Sequence, residues 1–200
     1  MLKITADVRV INREKCACPN DGVHRTGKDG SIKGCHSLWF NDKLVPKGQT
    51  AFYWRLNEDQ GLRVSYSFGW LRAISEGVVE REYHKMQRMY ALGLSPRPFN
   101  MDCVKLRLNY RHEHKKISTL AYCILVQHCH YPEKAWLDYA NGKPYDWSAV
   151  VHPSHTPEGY KDFVEHGKKT SNGLVDTSWK LGDVVWCCKE ERWYLVDCGV

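Results

Sequence analysis

The sequence predicts an α+β fold in which an antiparallel β-sheet is accompanied by one long helix. Runs of β-branched and aromatic residues bounded by polar turns predict strands, most clearly at residues 102–110 and 117–128. Residues 75–92 instead carry apolar side chains at helical spacing and are followed by Gly93, which is typical of a helix end. The length of 200 residues suits one domain or two small lobes.

The N-terminal part combines a strand with a glycine-rich loop. Residues 2–11 alternate polar and apolar side chains and predict a strand, whereas residues 16–36 contain many turn formers and predict a loop or small knuckle. Cysteine and histidine side chains in this loop could hold zinc in a tetrahedral site. The candidate ligands are Cys16, Cys18, Cys35 and either His36 or His24. A surface hairpin with buried thiols is the alternative.

The middle of the chain predicts a series of short elements. Strands are expected within residues 44–56 and over residues 62–68, before the long helix. Residues 132–139 predict a short helix, and Thr156 followed by Pro157 predicts the start of another, because threonine caps helices and proline fits their first turn.

The C-terminal residues predict a hairpin with carboxylates at its ends. Its strands are residues 184–188 and 193–196, joined by a charged turn. Aspartates precede the first strand and follow the second, so two oxygen ligands can reach one hard cation. These carboxylates are Asp176, Asp183 and Asp197.

Three segments resemble the protein-kinase-like fold, in particular atypical kinases and aminoglycoside phosphotransferases. Val196-Asp197-Cys198-Gly199 resembles the Asp-Phe-Gly motif, and residues 181–186 look like the Gly-Asn-Val-hydrophobic run of the catalytic loop. Residues 80–98 resemble the helix-C region, with its glutamate-rich start and its Leu-Gly-Leu-x-Pro-x-Pro exit. The resemblance implies a kinase-like small lobe and a truncated large lobe that ends at the Asp-x-Gly hairpin.

The resemblance also assigns roles to residues of the predicted hairpin and helix. Asp183 and Asp197 would bind magnesium, and Glu82 would be the helix-C glutamate. Ser178 stands where kinases have the catalytic aspartate, and Asp176, which stands at the leading histidine position, is a candidate base. ATP with magnesium is the cofactor that this resemblance implies.

Further residues correspond to the nucleotide-binding parts of the small lobe. Gly48 is the one glycine kept in the nucleotide-binding hairpin of residues 44–56, and Ser67 stands at the position of the phosphate-binding lysine. Gln127 and His128 precede the interlobe hinge, whose backbone binds adenine in kinases. The implied organisation is an extension at residues 1–43, a small lobe at 44–131 and a large-lobe remnant at 132–200.

Composition restricts the compartment and the partners. The net charge of +6 permits an acidic partner such as nucleic acid or nucleotide, with a solvated basic surface as the alternative. The first ten residues contain no apolar signal core, and no segment is apolar enough to cross a membrane. We therefore expect a cytoplasmic protein whose nine cysteines are reduced, without membrane association.

The departures from the kinase pattern favour binding over catalysis. A chain without the lysine, most of the glycines and the catalytic aspartate is expected to transfer phosphate inefficiently. A missing large lobe would leave Trp186, Trp193, Val196 and Val200 exposed, and an exposed apolar C-terminal face predicts a protein partner or a homo-oligomer.

Two alternatives to a pseudokinase-like binding protein remain open. One is an atypical phosphotransferase or nucleotide-binding enzyme with relocated catalytic groups. The other is a zinc-containing module that binds nucleic acid through the basic turn at residues 111–116 and through exposed tryptophans.

Overall fold

The computed structural model describes most of the chain in ten stretches. They are residues 5–12, 25–26, 32–33, 36–40, 43–45, 51–67, 72–110, 115–140, 143–175 and 178–198.

The chain divides into two compact units and has a mixed α+β fold, as the sequence predicts. The first unit comprises Met1–Val79 and Asn100–Leu125, and the second comprises Glu80–Phe99 and Val126–Val200. The domain organisation implied by the kinase resemblance stays a prediction.

Within the described residues, the main sheet has eight strands. Its strands are β1 (Thr5–Asn12), β4 (His36–Phe40), β5 (Lys43–Val45), β6 (Ala51–Arg55), β7 (Gln60–Ser67), β8 (Arg72–Ala73), β9 (Pro98–Tyr110) and β10 (Lys115–Gln127). They follow the order β5-β4-β1-β9-β10-β7-β6, with β8 paired to β7. β1 is antiparallel to β4 but parallel to β9, so the sheet is not purely antiparallel as predicted. A further pair joins β2 (Arg25–Thr26) to β3 (Ile32–Lys33).

The hairpin β6–β7 illustrates how the polar turns of the sequence form. The side-chain oxygen of Asn57 accepts hydrogen bonds from the backbone amides of Asp59 and Gln60, both at 2.9 Å. Asparagine stabilises turns in this way because its side chain mimics a backbone acceptor. Val64 and Leu62 of β7 are fully buried in the core of the first unit.

The nucleotide-binding hairpin expected at residues 44–56 is not formed by the strands that the structure describes there. β5 pairs with β4, and β6 pairs with β7. The predicted pairing assumed that strands adjacent in sequence pair with each other, whereas here each of the two has another antiparallel neighbour.

Helix α1 (Glu76–Ala91) buries one face and ends in a glycine motif. Met86 and Met89 are 2% and 0% exposed. The amide of Leu94 donates to the Met89 carbonyl at 2.9 Å, and the amide of Gly93 donates to the Tyr90 carbonyl at 2.8 Å. Gly93 has φ +73, which glycine adopts without steric cost, so the sequence signal for the helix end has a direct structural cause.

The second unit contains two further helices, α2 (Glu133–Ala140) and α3 (Pro157–Ser171). The Thr156 hydroxyl caps α3 by accepting a hydrogen bond from the Gly159 amide at 3.0 Å, with Pro157 in the first turn. Asn172, in the left-handed conformation, ends the helix. None of the helices described is both long and apolar enough to cross a membrane.

Candidate divalent-cation site

The predicted C-terminal hairpin is present in the second unit. It consists of β11 (Val184–Cys187) and β12 (Arg192–Leu195), which pair in antiparallel register with Val184 opposite Leu195. The turn is completed by Glu191 at φ 52. All four residues of β11 are buried, so the hairpin is a fixed base for the aspartates at its open end.

Backbone hydrogen bonds bring Asp183 and Asp197 together at that open end. The carbonyl oxygen of Asp183 accepts hydrogen bonds from the amides of Val196 at 2.7 Å and Asp197 at 3.3 Å. Both aspartates are half-buried. The two aspartates that the sequence assigned to one cation are therefore neighbours along the backbone of the fold.

The Asp183 side chain is oriented by Ser178. The Ser178 hydroxyl donates a hydrogen bond to Oδ2 of Asp183 at 2.5 Å. A tight turn supports the same residue, because the amides of Asp183 and Val184 both donate to the Lys180 carbonyl at 3.0 Å. Gly182 in this turn has φ +107, where a side chain would be strained. Asp176, the other candidate base, lies outside the described residues.

The carboxylate oxygens of two aspartates would suit magnesium better than a metal whose ligands all come from the protein. Within the described stretches, no group of three or more histidine, cysteine, aspartate or glutamate residues is arranged to hold a metal ion. Magnesium commonly takes only one or two carboxylates from the protein and completes its shell with phosphates and water. Asp183 and Asp197 are the residues that could supply those two carboxylates.

The other residues assigned by the kinase resemblance are distributed over both units. Glu82 of α1 belongs to the second unit and is only 3% exposed. Ser67 belongs to the first unit and ends β7, and Gly48 lies outside the described residues. A serine hydroxyl carries no positive charge, so Ser67 cannot neutralise phosphate as a lysine does.

Gln127 at the end of β10 is held by its neighbours in the second unit. Its backbone amide donates to the Arg97 carbonyl at 2.8 Å, and its side-chain oxygen accepts from the Arg97 amide at 3.2 Å. Its side-chain nitrogen donates to Glu190. These bonds fix the strand that leads to His128, which is 6% exposed and whose ring lies 4.9 Å from that of His130.

The candidate zinc ligands receive no structural account. Cys16, Cys18, Cys35 and His24 lie outside the described residues, and only the backbone of His36, in β4, is described. The zinc hypothesis therefore stays a prediction.

The sequence predicted an exposed apolar face at the C-terminus, and this prediction is wrong for the two tryptophans of that face. Trp186 is 0% and Trp193 is 3% exposed, and Val196 is half-buried. Val200 lies outside the described residues. The sequence argument assumed that a missing large lobe leaves this side of the hairpin uncovered, but residues between α2 and α3 cover it.

A buried aromatic cluster around His155 provides this cover. The His155 ring stacks on that of Trp193 at 5.5 Å and lies 5.2 Å from that of Trp186. Further rings of the cluster belong to Tyr145, Trp147 and Tyr160. The density of aromatic residues from 145 to 160 was the sequence signal for this cluster, and the sequence analysis did not use it.

The His155 side chain is the polar centre of the cluster. Its Nδ1 lies 3.1 Å from the Val150 carbonyl oxygen, and its Nε2 lies 3.0 Å from the Tyr145 hydroxyl. Because a carbonyl oxygen can only accept, Nδ1 carries the proton and Nε2 accepts from Tyr145. Burial of the imidazole lowers the pKa of His155. Burial of the phenol raises the pKa of Tyr145, because in each case the charged form is disfavoured.

Comparison with known proteins gives no match: no family model, no curated protein and no solved structure is significantly similar to this chain.

Proposed function

We propose that the second unit binds a nucleotide as its magnesium complex through Asp183 and Asp197, in the manner of a kinase-like protein. The observation that carries the proposal is the pair of backbone hydrogen bonds to the Asp183 carbonyl oxygen, from Val196 at 2.7 Å and Asp197 at 3.3 Å. Because the two residues are joined through the backbone, the proposal assigns both carboxylates to one divalent cation that takes its remaining ligands from phosphate and water.

The hairpin and its supporting turn keep the two carboxylates in position. Asp197 directly follows Val196, whose amide is bonded to Asp183, so the separation of the two residues is set by backbone geometry. Ser178 fixes the carboxylate of Asp183 through its hydroxyl. Side chains that are already ordered bind a cation without a further loss of conformational entropy. The bound cation would neutralise negative charge on the phosphates.

Phosphotransfer is expected to be inefficient. The Ser178 hydroxyl, at the position of the catalytic aspartate, donates a hydrogen bond to Asp183 at 2.5 Å, so it positions a ligand and does not act as a base. Ser67, at the position of the lysine, supplies no positive charge. Because catalysis of phosphoryl transfer depends on positioning and charge neutralisation, both departures lower the rate more than they lower nucleotide affinity.

Calorimetric titration with ATP tests the proposal. Wild-type protein in excess magnesium is expected to give saturable heat, and Asp197→Asn is expected to weaken the affinity at least about tenfold, because a ligand charge is lost. Asp162→Asn is the matched control, since it removes the same charge from an exposed position on α3. This control should bind as the wild type does.

Two outcomes would contradict nucleotide binding at this pair. Absence of saturable heat at millimolar ATP would leave the aspartates without this role. Equal affinities of the wild type and Asp197→Asn for ATP would show that ATP binds at another place on the protein. A parallel assay with radiolabelled ATP should detect binding with little or no transfer to protein or water.

The other functional hypotheses stay predictions. The protein-partner hypothesis depended on an exposed face of Trp186, Trp193, Val196 and Val200, and the two tryptophans of that face are buried. The hypothesis of a zinc-containing nucleic-acid module depends on cysteines outside the described residues. Neither has a described surface that favours it over the aspartate pair.

A further inference from the structure

Tyr160 on α3 contacts both segments that carry the aspartates of the candidate cation site. Its hydroxyl donates a hydrogen bond at 2.7 Å to the carbonyl oxygen of Trp179, which lies shortly before Asp183 in the chain. Its ring lies edge-on to that of Trp193, shortly before Asp197, with the ring centroids 5.5 Å apart. All of these residues belong to the second unit. One side chain of α3 therefore links the two segments.

The start of α3 fixes the place of Tyr160. Its amide donates to the Thr156 carbonyl at 2.9 Å, and the Thr156 hydroxyl caps the same turn of the helix. A capped first turn is more stable than an uncapped one. The indole nitrogen of Trp193 donates to the Ser154 carbonyl at 2.8 Å, just before that cap. The Tyr160 ring and β12 are thus held next to each other by the same part of the chain.

Trp179 has a backbone conformation that bulky residues rarely adopt. Its φ is 52, in the left-handed region, where Cβ crowds the carbonyl oxygen. Such a conformation persists only where surrounding contacts hold it. Its ring is 3% exposed and lies against Gly167 of α3, where an added Cβ would be 2.3 Å from a ring carbon. The hydrogen bond from Tyr160 to its carbonyl is a second contact that holds it.

The conformation of Trp179 determines where its two chain neighbours lie, and both support Asp183. Ser178 precedes Trp179, and its hydroxyl donates to Oδ2 of Asp183 at 2.5 Å. Lys180 follows Trp179, and its carbonyl accepts from the amides of Asp183 and Val184, both at 3.0 Å. A rotation of the backbone at Trp179 would therefore displace both supports of the Asp183 side chain and backbone.

We propose that Tyr160 is a positioning residue of the cation site, because its hydroxyl, through the Trp179 carbonyl, holds Asp183 where it can share a cation with Asp197. This role rests on the proposed function, since it concerns the binding of magnesium-ATP. Tyr160 acts through Trp179 and does not contact the cation. A hydroxyl that only satisfied a carbonyl would contribute to the stability of the unit but not to its affinity for a cation, and this difference can be measured.

The test compares two variants that each lose one tyrosine hydroxyl. Tyr160→Phe removes the hydrogen bond to Trp179 and keeps the ring. Tyr83→Phe is the matched control, because the Tyr83 hydroxyl is also part-buried in the second unit and donates to the Phe99 carbonyl at 3.1 Å. The two variants should lose comparable stability in urea denaturation. Near-ultraviolet circular dichroism checks that both are folded.

Hydrogen exchange in EDTA measures the positioning without any ligand. In Tyr160→Phe the amides of Asp183 and Val184 should exchange at least about threefold faster relative to that of Leu195. The Leu195 amide is the internal reference, because it is bonded to the Leu94 carbonyl at 2.8 Å and belongs to a buried strand residue. The ratio to this reference removes the effect of a lower global stability. Tyr83→Phe should leave the ratio unchanged.

The affinity for manganese-ATP, measured through the relaxation rate of water protons, shows the consequence for the site. Tyr160→Phe should weaken this affinity about threefold to tenfold, the factor that the loss of one hydrogen bond gives. Tyr83→Phe should bind as the wild type does. The positioning role is overturned if the wild type binds and Tyr160→Phe binds equally well, or if the exchange ratio of the folded Tyr160→Phe variant is unchanged. Absence of binding by the wild type would contradict the proposed function itself, and the positioning role with it.

Discussion

Asp183 and Asp197 are joined through the backbone, because the Asp183 carbonyl oxygen accepts a hydrogen bond from the Asp197 amide at 3.3 Å and a shorter one, 2.7 Å, from the preceding Val196. This arrangement places both aspartates at one end of a buried hairpin. A cation that binds both of them only in the native state adds to the free energy of unfolding.

Magnesium-ATP should therefore stabilise the folded protein. At a ligand concentration about 100 times the dissociation constant, binding to the native state adds about 2.7 kcal/mol to the free energy of unfolding. Thermal unfolding should shift upward for the wild type but not for Asp197→Asn. An equal upward shift for Asp197→Asn would contradict this reading of the pair.

His155 predicts a pH dependence of stability. Burial lowers its pKa in the folded state, so the unfolded chain, with a pKa of about 6.5, binds a proton first as the pH falls. The stabilisation that neutral His155 provides is complete above a pH of about 6.5. It decreases as the pH falls below that value, by at most about 1.4 kcal/mol per pH unit. The cost of His155→Gln, measured by urea denaturation, should be larger at pH 7.5 than at pH 5. A cost that is equal or larger at pH 5 would exclude a buried neutral histidine.

Trp193 should contribute strongly to stability. It is 3% exposed, it stacks on His155, and its indole nitrogen donates to the Ser154 carbonyl at 2.8 Å. Trp193→Ala is expected to cost about 3–5 kcal/mol in urea denaturation, from lost burial and the cavity left behind. Leu92→Ala, at a side chain 40% exposed, should cost less than about 0.5 kcal/mol. A cost below about 1 kcal/mol for Trp193→Ala would indicate that this side chain is exposed, as expected from the sequence.

The elements with a strong local pattern could be predicted from the sequence. The helix predicted at residues 75–92 is Glu76–Ala91, and the strands predicted at 184–188 and 193–196 are Val184–Cys187 and Arg192–Leu195. Their periodicity, the glycine at the helix end and the polar turns act over a few residues. The closeness of Asp183 and Asp197 was predictable for the same reason, because the hairpin itself brings its two ends together.

Contacts between distant segments could not be predicted. The parallel pairing of β1 with β9 and the apolar cluster that contains both Cys129 and Cys187 join parts of the chain that carry no local signal for each other. The burial of Trp186 depends on rings from residues 145–160, so a pattern of apolar residues in β11 alone does not reveal what covers them. Tertiary packing overrides local expectation at these positions.

Gly167 should be intolerant of a side chain. A Cβ added there would lie 2.3 Å from one carbon of the Trp179 ring, and Trp179 is only 3% exposed. Gly167→Ala should cost about 1–3 kcal/mol through overpacking, although alanine favours helices. Gly77→Ala, at an exposed position of α1, is the matched control and should not destabilise. A gain in stability for Gly167→Ala would contradict the packing of α3 against Trp179.

The relaxation rate of water protons around manganese-ATP tests the central claim most directly, because manganese takes the same oxygen ligands as magnesium and reports its own binding. Wild-type protein should enhance the rate to a saturating value, and so should Asp162→Asn. The double variant Asp183→Asn with Asp197→Asn should give no enhancement above that of free manganese-ATP. Equal enhancement by the double variant and the wild type, or none by the wild type, would contradict a cation site at Asp183 and Asp197.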